Sequence, residues 1–101
     1  MSALCIQVQP GKATAIDMER VRALCQRVAA DKKLVNRFAV VEGEDKGPYI
    51  NLVFETTELQ ALWQLLQNAL YEDELIGSAL SKASMAMCEG KDGWNDYLLL
   101  Y

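Results

Sequence analysis

The sequence predicts an α+β fold, in which an antiparallel-rich sheet carries its helices on one face. Three observations point there. The chain writes one hairpin pattern twice, as VVEGEDKGPYINLVF over 40–54 and MCEGKDGWNDYLLLY over 87–101. Segments of helical period precede each hairpin, and a short alternating strand opens the chain.

Residues 3–9 alternate, with Leu4, Ile6 and Val8 on one side and Cys5 and Gln7 on the other, the mark of a half-buried strand ended by Pro10 and Gly11. Over 16–31 a stripe of Met18, Val21, Leu24, Cys25 and Val28 predicts a helix, started by Thr14 or Asp17 as cap. Glu19–Arg22 and Arg27–Asp31 have the spacing of ion pairs between helical turns.

The first hairpin is expected over 37–42 and 49–55, joined by the turn residues GEDKGP. Thr57-Glu58-Leu59-Gln60 reads as a capping box. The helix behind it stacks Leu59, Leu62, Trp63, Leu66 and Leu70, and EDELIGSAL adds a short second piece because Gly77 weakens a single long helix. Residues 84–89 and 96–101 form the closing hairpin about a turn from Gly90 to Gly93.

The resulting order, β-α-β-β-α-β-β, resembles the ferredoxin-like split β-α-β arrangement with one strand appended. The resemblance covers most of the chain and is one of topology. With right-handed crossovers it implies a two-layer sandwich of sheet order 2-3-1-4-5. At 101 residues the chain, 1–101, is expected to form a single domain.

Composition narrows the chemistry. A chain without histidine lacks the commonest general base and neutral metal ligand, so Ser-His-Asp and Cys-His catalysis are excluded. Cys5, Cys25 and Cys88, odd in number and far apart, read as reduced, buried thiols in a cytoplasmic protein. A formal charge of −4 opposes nucleic-acid binding. No apolar run reaches the ~20 residues of a membrane-spanning helix, and MSALCIQVQPGK does not read as a signal peptide. The glycines lie between strands rather than before a helix, so no phosphate cradle, cofactor or metal is expected.

Charge is unevenly placed: eight of ten basic residues precede residue 51, and the remainder carries eight carboxylates. Helices on one face leave the other face open. Cys5, Ala39, Val41, Tyr49 and Val53 would lie there among Gln7, Asn51 and Glu55. The last strand is apolar on both sides, with Tyr97, Leu99 and Tyr101 expected on one face and Leu98 and Leu100 on the other. Such a surface calls for a cover, and a homodimer through the sheet, or another protein partner, is expected.

The candidate interface or pocket residues are Tyr49, Asn51, Val53, Cys88, Trp94, Asp96, Tyr97, Leu99 and Tyr101. The leading expectation is a non-catalytic interaction or regulatory module. An immunity- or antitoxin-like inhibitor of a basic enzyme also fits a small acidic chain. So does a small-ligand binder or cofactor-free enzyme of the dimeric α+β barrel kind. Glu42 to Asp45 and Glu89 to Asp92 would bring carboxylates together if both loops share one end of the sheet.

Overall fold

Alternation in the strands decides which residues meet the helices. The computed structural model describes residues 2–13, 16–90 and 93–101, without the side chains of Asn95 and Asp96. The strands are β1 (Ser2–Val8), β2 (Arg37–Glu44), β3 (Pro48–Thr56), β4 (Ser84–Gly90) and β5 (Gly93–Leu99). The α-helices are α1 (Met18–Ala29), α2 (Leu59–Leu66) and α3 (Gly77–Ala83). The strands form one antiparallel sheet in the order β2-β3-β1-β4-β5, the order expected from the sequence.

Leu4, Ile6 and Val8 stand between Phe54, Leu52 and Ile50 on one side and Cys88, Ala86 and Ser84 on the other. This row meets Val21, Cys25 and Val28 of α1, Leu62 and Leu66 of α2, and Leu70, Ile76 and Leu80 beyond it. Each large side chain so buried contributes about 1.5–3 kcal/mol. Phe38 of β2 adds a ring to Phe54 at a centroid distance of 4.7 Å.

Asp17 caps α1, its Oδ1 accepting from the Arg20 N–H at 3.1 Å; Thr14 lies outside the described residues. The expected pairs along α1 do not form. Among the described residues the ion pairs are Arg20–Asp73 and Arg22–Glu42, while Asp31 turns to the Lys33 N–H at 3.0 Å. Exposed pairs on one helix yield only a few tenths of a kcal/mol, so tertiary and turn partners displace them.

The expected capping box is also corrected. Glu58 stands at the N-cap without a side-chain bond, and Thr57 is exposed. Thr56, buried at the end of β3, accepts the Glu58 N–H on Oγ1 at 2.8 Å. The strand runs one residue too far for Thr57 to cap.

After α2 the chain makes a π-helical turn, Gln67–Tyr71, closed by the Glu72 N–H on the Gln67 carbonyl at 3.1 Å. Asp73 then organises the connection to α3, accepting from Leu75 N at 3.0 Å and Ile76 N at 3.1 Å. Gly77 opens α3 directly beneath the Tyr71 carbonyl, where a β-carbon would collide with that oxygen.

The two acidic loops do not converge. β2 runs antiparallel to β4, so the β2–β3 loop lies at the Val8 end of the sheet and Gly90 at the Ser2 end. Lys91 and Asp92 lie outside the described residues. Gly47, at φ 130°, and Lys46, at φ 59°, turn the first loop. A positive φ at a lysine is uncommon, while Gly47 needs no β-carbon to accommodate it.

Candidate functional site

The sheet's second face carries no helix. Register places Ala39, Val53, Cys5, Met87 and Leu99 side by side across all five strands. The neighbouring row runs Val41, Asn51, Gln7 and Met85. The first row is wholly apolar, and the second mixes apolar side chains with two amides.

A concavity of about 250 Å³ opens on this face, lined by Cys5, Gln7, Asn51, Val53, Met87 and Trp94. Trp94 comes from the start of β5, beside the irregular pairing between Cys88 and Gly90. Cys5 is only 7% exposed although no helix covers it. Its neighbours in the sheet and Trp94 do the shielding. Burial pushes its thiol up to about 11, so it is neutral near pH 7 and not a nucleophile.

The polar part of the face is ordered. Gln9 Nε2 donates to Gln7 Oε1 at 3.3 Å, and Gln7 Nε2 donates to Asn51 Oδ1 at 3.0 Å. Tyr49 lies opposite Gly43, its ring filling the space a β-carbon would need on that glycine. An aromatic ring laid over a glycine of an edge strand supplies the packing the glycine lacks.

β5 forms one edge of the sheet. Its Leu98 is 57% exposed and Leu99 62%, and Tyr97 is also exposed. The opposite edge, β2, carries Arg37, Glu42 and Glu44, charges of the kind that discourage strand addition.

Of the residues singled out in the sequence, Asn51, Val53 and Trp94 meet at the concavity, and Leu99 joins the row beside Met87. Tyr49 lies on the same face near the β2 edge. The Asp96 side chain lies outside the described ones. Two residues sit elsewhere.

Cys88 pairs with Leu4 and points into the helix-covered core, so alternation removes it from the open face. Burial, with Glu89 beside it, pushes its thiol up. Tyr101 does not continue the alternation of β5. The N–H groups of Leu100 and Tyr101 both reach the Ala86 carbonyl, at 2.8 and 3.3 Å. The Tyr101 ring stacks on Tyr71 at 4.1 Å, and its hydroxyl meets Ser81 Oγ at 2.7 Å. It therefore belongs with the helices.

The amide chain from Gln9 to Asn51 carries no motif of its own in the sequence. The signal for it was the register of β1 against β3, which sets Gln7 opposite Asn51.

The three cysteines are free and buried, as expected from their number and spacing. Among the described residues no cluster of His, Cys, Asp or Glu is arranged to hold a metal ion, and no helix is long and apolar enough to cross a membrane. Comparison with protein-family models, with curated proteins and with solved structures finds no match to this chain.

Proposed function

We propose that this chain is a non-catalytic interaction module that assembles as a homodimer through its sheet. The observation that carries this reading is the apolar row from Ala39 to Leu99 on the face without helices. In an antiparallel sheet with one solvated face, that row would ordinarily be polar. Burying it against a second copy removes apolar surface from water, and the Gln7 and Asn51 amides, already bonded to each other, would need partners only for their remaining N–H groups.

The reading includes the finer fold assignment, a ferredoxin-like sandwich with β5 appended. The strand order and the two β-α-β connections, β1-α1-β2 and β3-α2-α3-β4, support it.

A second reading rests on the concavity beside Trp94. Its volume of about 250 Å³ falls just under the ~300–1,000 Å³ of typical ligand pockets. Two copies packed face to face would enclose it and give a small-ligand site.

Sedimentation equilibrium at micromolar concentration tests the proposal. A species of twice the 11.3 kDa chain mass is expected. A monomer across the whole concentration range would remove the homodimer. Native mass spectrometry of the same sample separates an empty dimer from one that retains a small mass, the outcome the second reading requires.

A further inference from the structure

At the Val8 end of the sheet the fold gathers lysines that the sequence keeps apart. The Gln9 N–H donates to the Ala83 carbonyl at 2.7 Å, tying the exit of β1 to the last residue of α3. The chain then makes a 3₁₀ turn, Pro10–Lys12, held by the Lys12 N–H on the Gln9 carbonyl at 3.0 Å. These two bonds bring Lys12 to Lys82, and both line a concavity of about 70 Å³ with Gln7, Gln9 and Ser84. A second concavity, of about 180 Å³, shares Gln9 and Lys12 and adds Lys46, Gly47 and Asp45.

This local charge runs against that of the whole chain, which is −4. The first concavity is lined by two lysines and no acidic residue, and the second by two lysines and one aspartate. Among the described residues both ion pairs are made by arginines of α1, so Lys12, Lys46 and Lys82 have no carboxylate within ion-pair distance.

We propose that this end of the molecule binds a small phosphate-bearing anion, with Lys12 central and Lys82 and Lys46 on either side. Lysine ammonium groups act as point-charge partners for phosphate oxygens. The amides supply direction. Gln9 Nε2 gives one N–H to Gln7, and Gln7 Nε2 gives one to Asn51, which leaves each a second N–H for an acceptor. The Ser84 hydroxyl is already engaged by the Leu80 carbonyl at 2.6 Å and Tyr71 at 2.7 Å, so it packs the wall. Asp45 repels an anion in the second concavity, so the phosphate group belongs in the first, between Lys12 and Lys82. The site does not depend on self-association.

The test is a titration of the ¹⁵N-labelled chain with sodium diphosphate, followed by backbone amide shifts, beside sodium chloride at matched ionic strength. Saturable shifts centred on Gln9, Lys12 and Ala83 are expected. A Lys12→Gln/Lys82→Gln double variant is expected to bind about tenfold more weakly or worse, the consequence of losing charge-assisted contacts. Its remaining spectrum should be unchanged, since both side chains are solvent-facing. Shifts that follow ionic strength alone, shifts centred on the α1 arginines, or a double variant that binds as tightly would each overturn the site.

Discussion

Cys5 and Met87 lie directly opposite each other across the β1–β4 pair, on the side of the sheet that no helix covers. A cysteine there is nearly inaccessible because Met87, Val53 and Trp94 close around it. The open face thus holds one nearly buried thiol within its apolar row.

Charge placed in this row should separate folding from association. Met87→Lys and Leu99→Lys are expected to leave the far-ultraviolet circular dichroism of the chain intact. Both should weaken self-association by at least about tenfold, since a desolvated, unpaired ammonium at an interface is heavily penalised. Sedimentation of both variants checks this, and undiminished association would place the contact elsewhere.

Thiol accessibility gives a second check. Burial pushes Cys25 up to about 12, alongside the raised Cys5 and Cys88. At pH 8 the folded chain is expected to react with a thiol reagent far more slowly than in denaturant, where all three cysteines should titrate. Rapid reaction of one thiol under native conditions would show that its cover opens.

Acid stability should depend on Asp73. The Arg20 guanidinium, bonded at 2.7 and 3.0 Å, with the Leu75 and Ile76 N–H groups, lowers its carboxyl from 3.8 to about 2. The folded value lies below the unfolded one. Its stabilisation is therefore complete above about pH 4 and lost as the pH falls towards 2. Asp73→Asn should lower the thermal midpoint at pH 7 and flatten its decline between pH 4 and 2. An unchanged acid limb would remove Asp73 from the account.

Gly77→Ala should reverse the usual sign of that substitution. In an ordinary helix alanine gains about 1 kcal/mol over glycine. Here the added methyl meets the Tyr71 carbonyl, and overpacking of this kind costs about 1–3 kcal/mol. Urea unfolding measures the difference, and a stabilised variant would mean the π-helical turn yields easily.

Thr56 and Thr57 test the corrected start of α2. Thr56→Val leaves the Glu58 N–H without its partner and should destabilise by about 1–3 kcal/mol. Thr57→Ala, at an exposed position without a capping bond, should fall within about 0.5 kcal/mol of the parent. Equal effects would restore the capping box.

What the sequence made legible was whatever depends on period and connection. Alternation in β1 separated Leu4, Ile6 and Val8 from Cys5 and Gln7, and the crossover rule then ordered the strands. The open-face row followed from the same alternation. Relations between distant segments were not legible. Arg20 finds Asp73 only because α1 packs beside the π-helical turn, and a search within one helix proposes Glu19–Arg22 instead. The two Glu-Gly loops look equivalent locally, yet strand direction sends them to opposite ends. Tyr101 leaves the alternation to stack on Tyr71, a contact between segments 30 residues apart that no local period encodes.

The two tryptophans lie on opposite sides of the sheet, Trp63 packed beside Tyr71 and Tyr101 at 6.0 and 6.3 Å, Trp94 at the open concavity. The chain consequently carries a separate optical probe for each surface. With Trp63 replaced by Phe, emission reports events on the bare face alone. With Trp94 replaced, it reports the seating of the helices and of the last residue against them. Compared over a dilution series and a denaturant series, the two signals would reveal whether dissociation and unfolding are one transition or two.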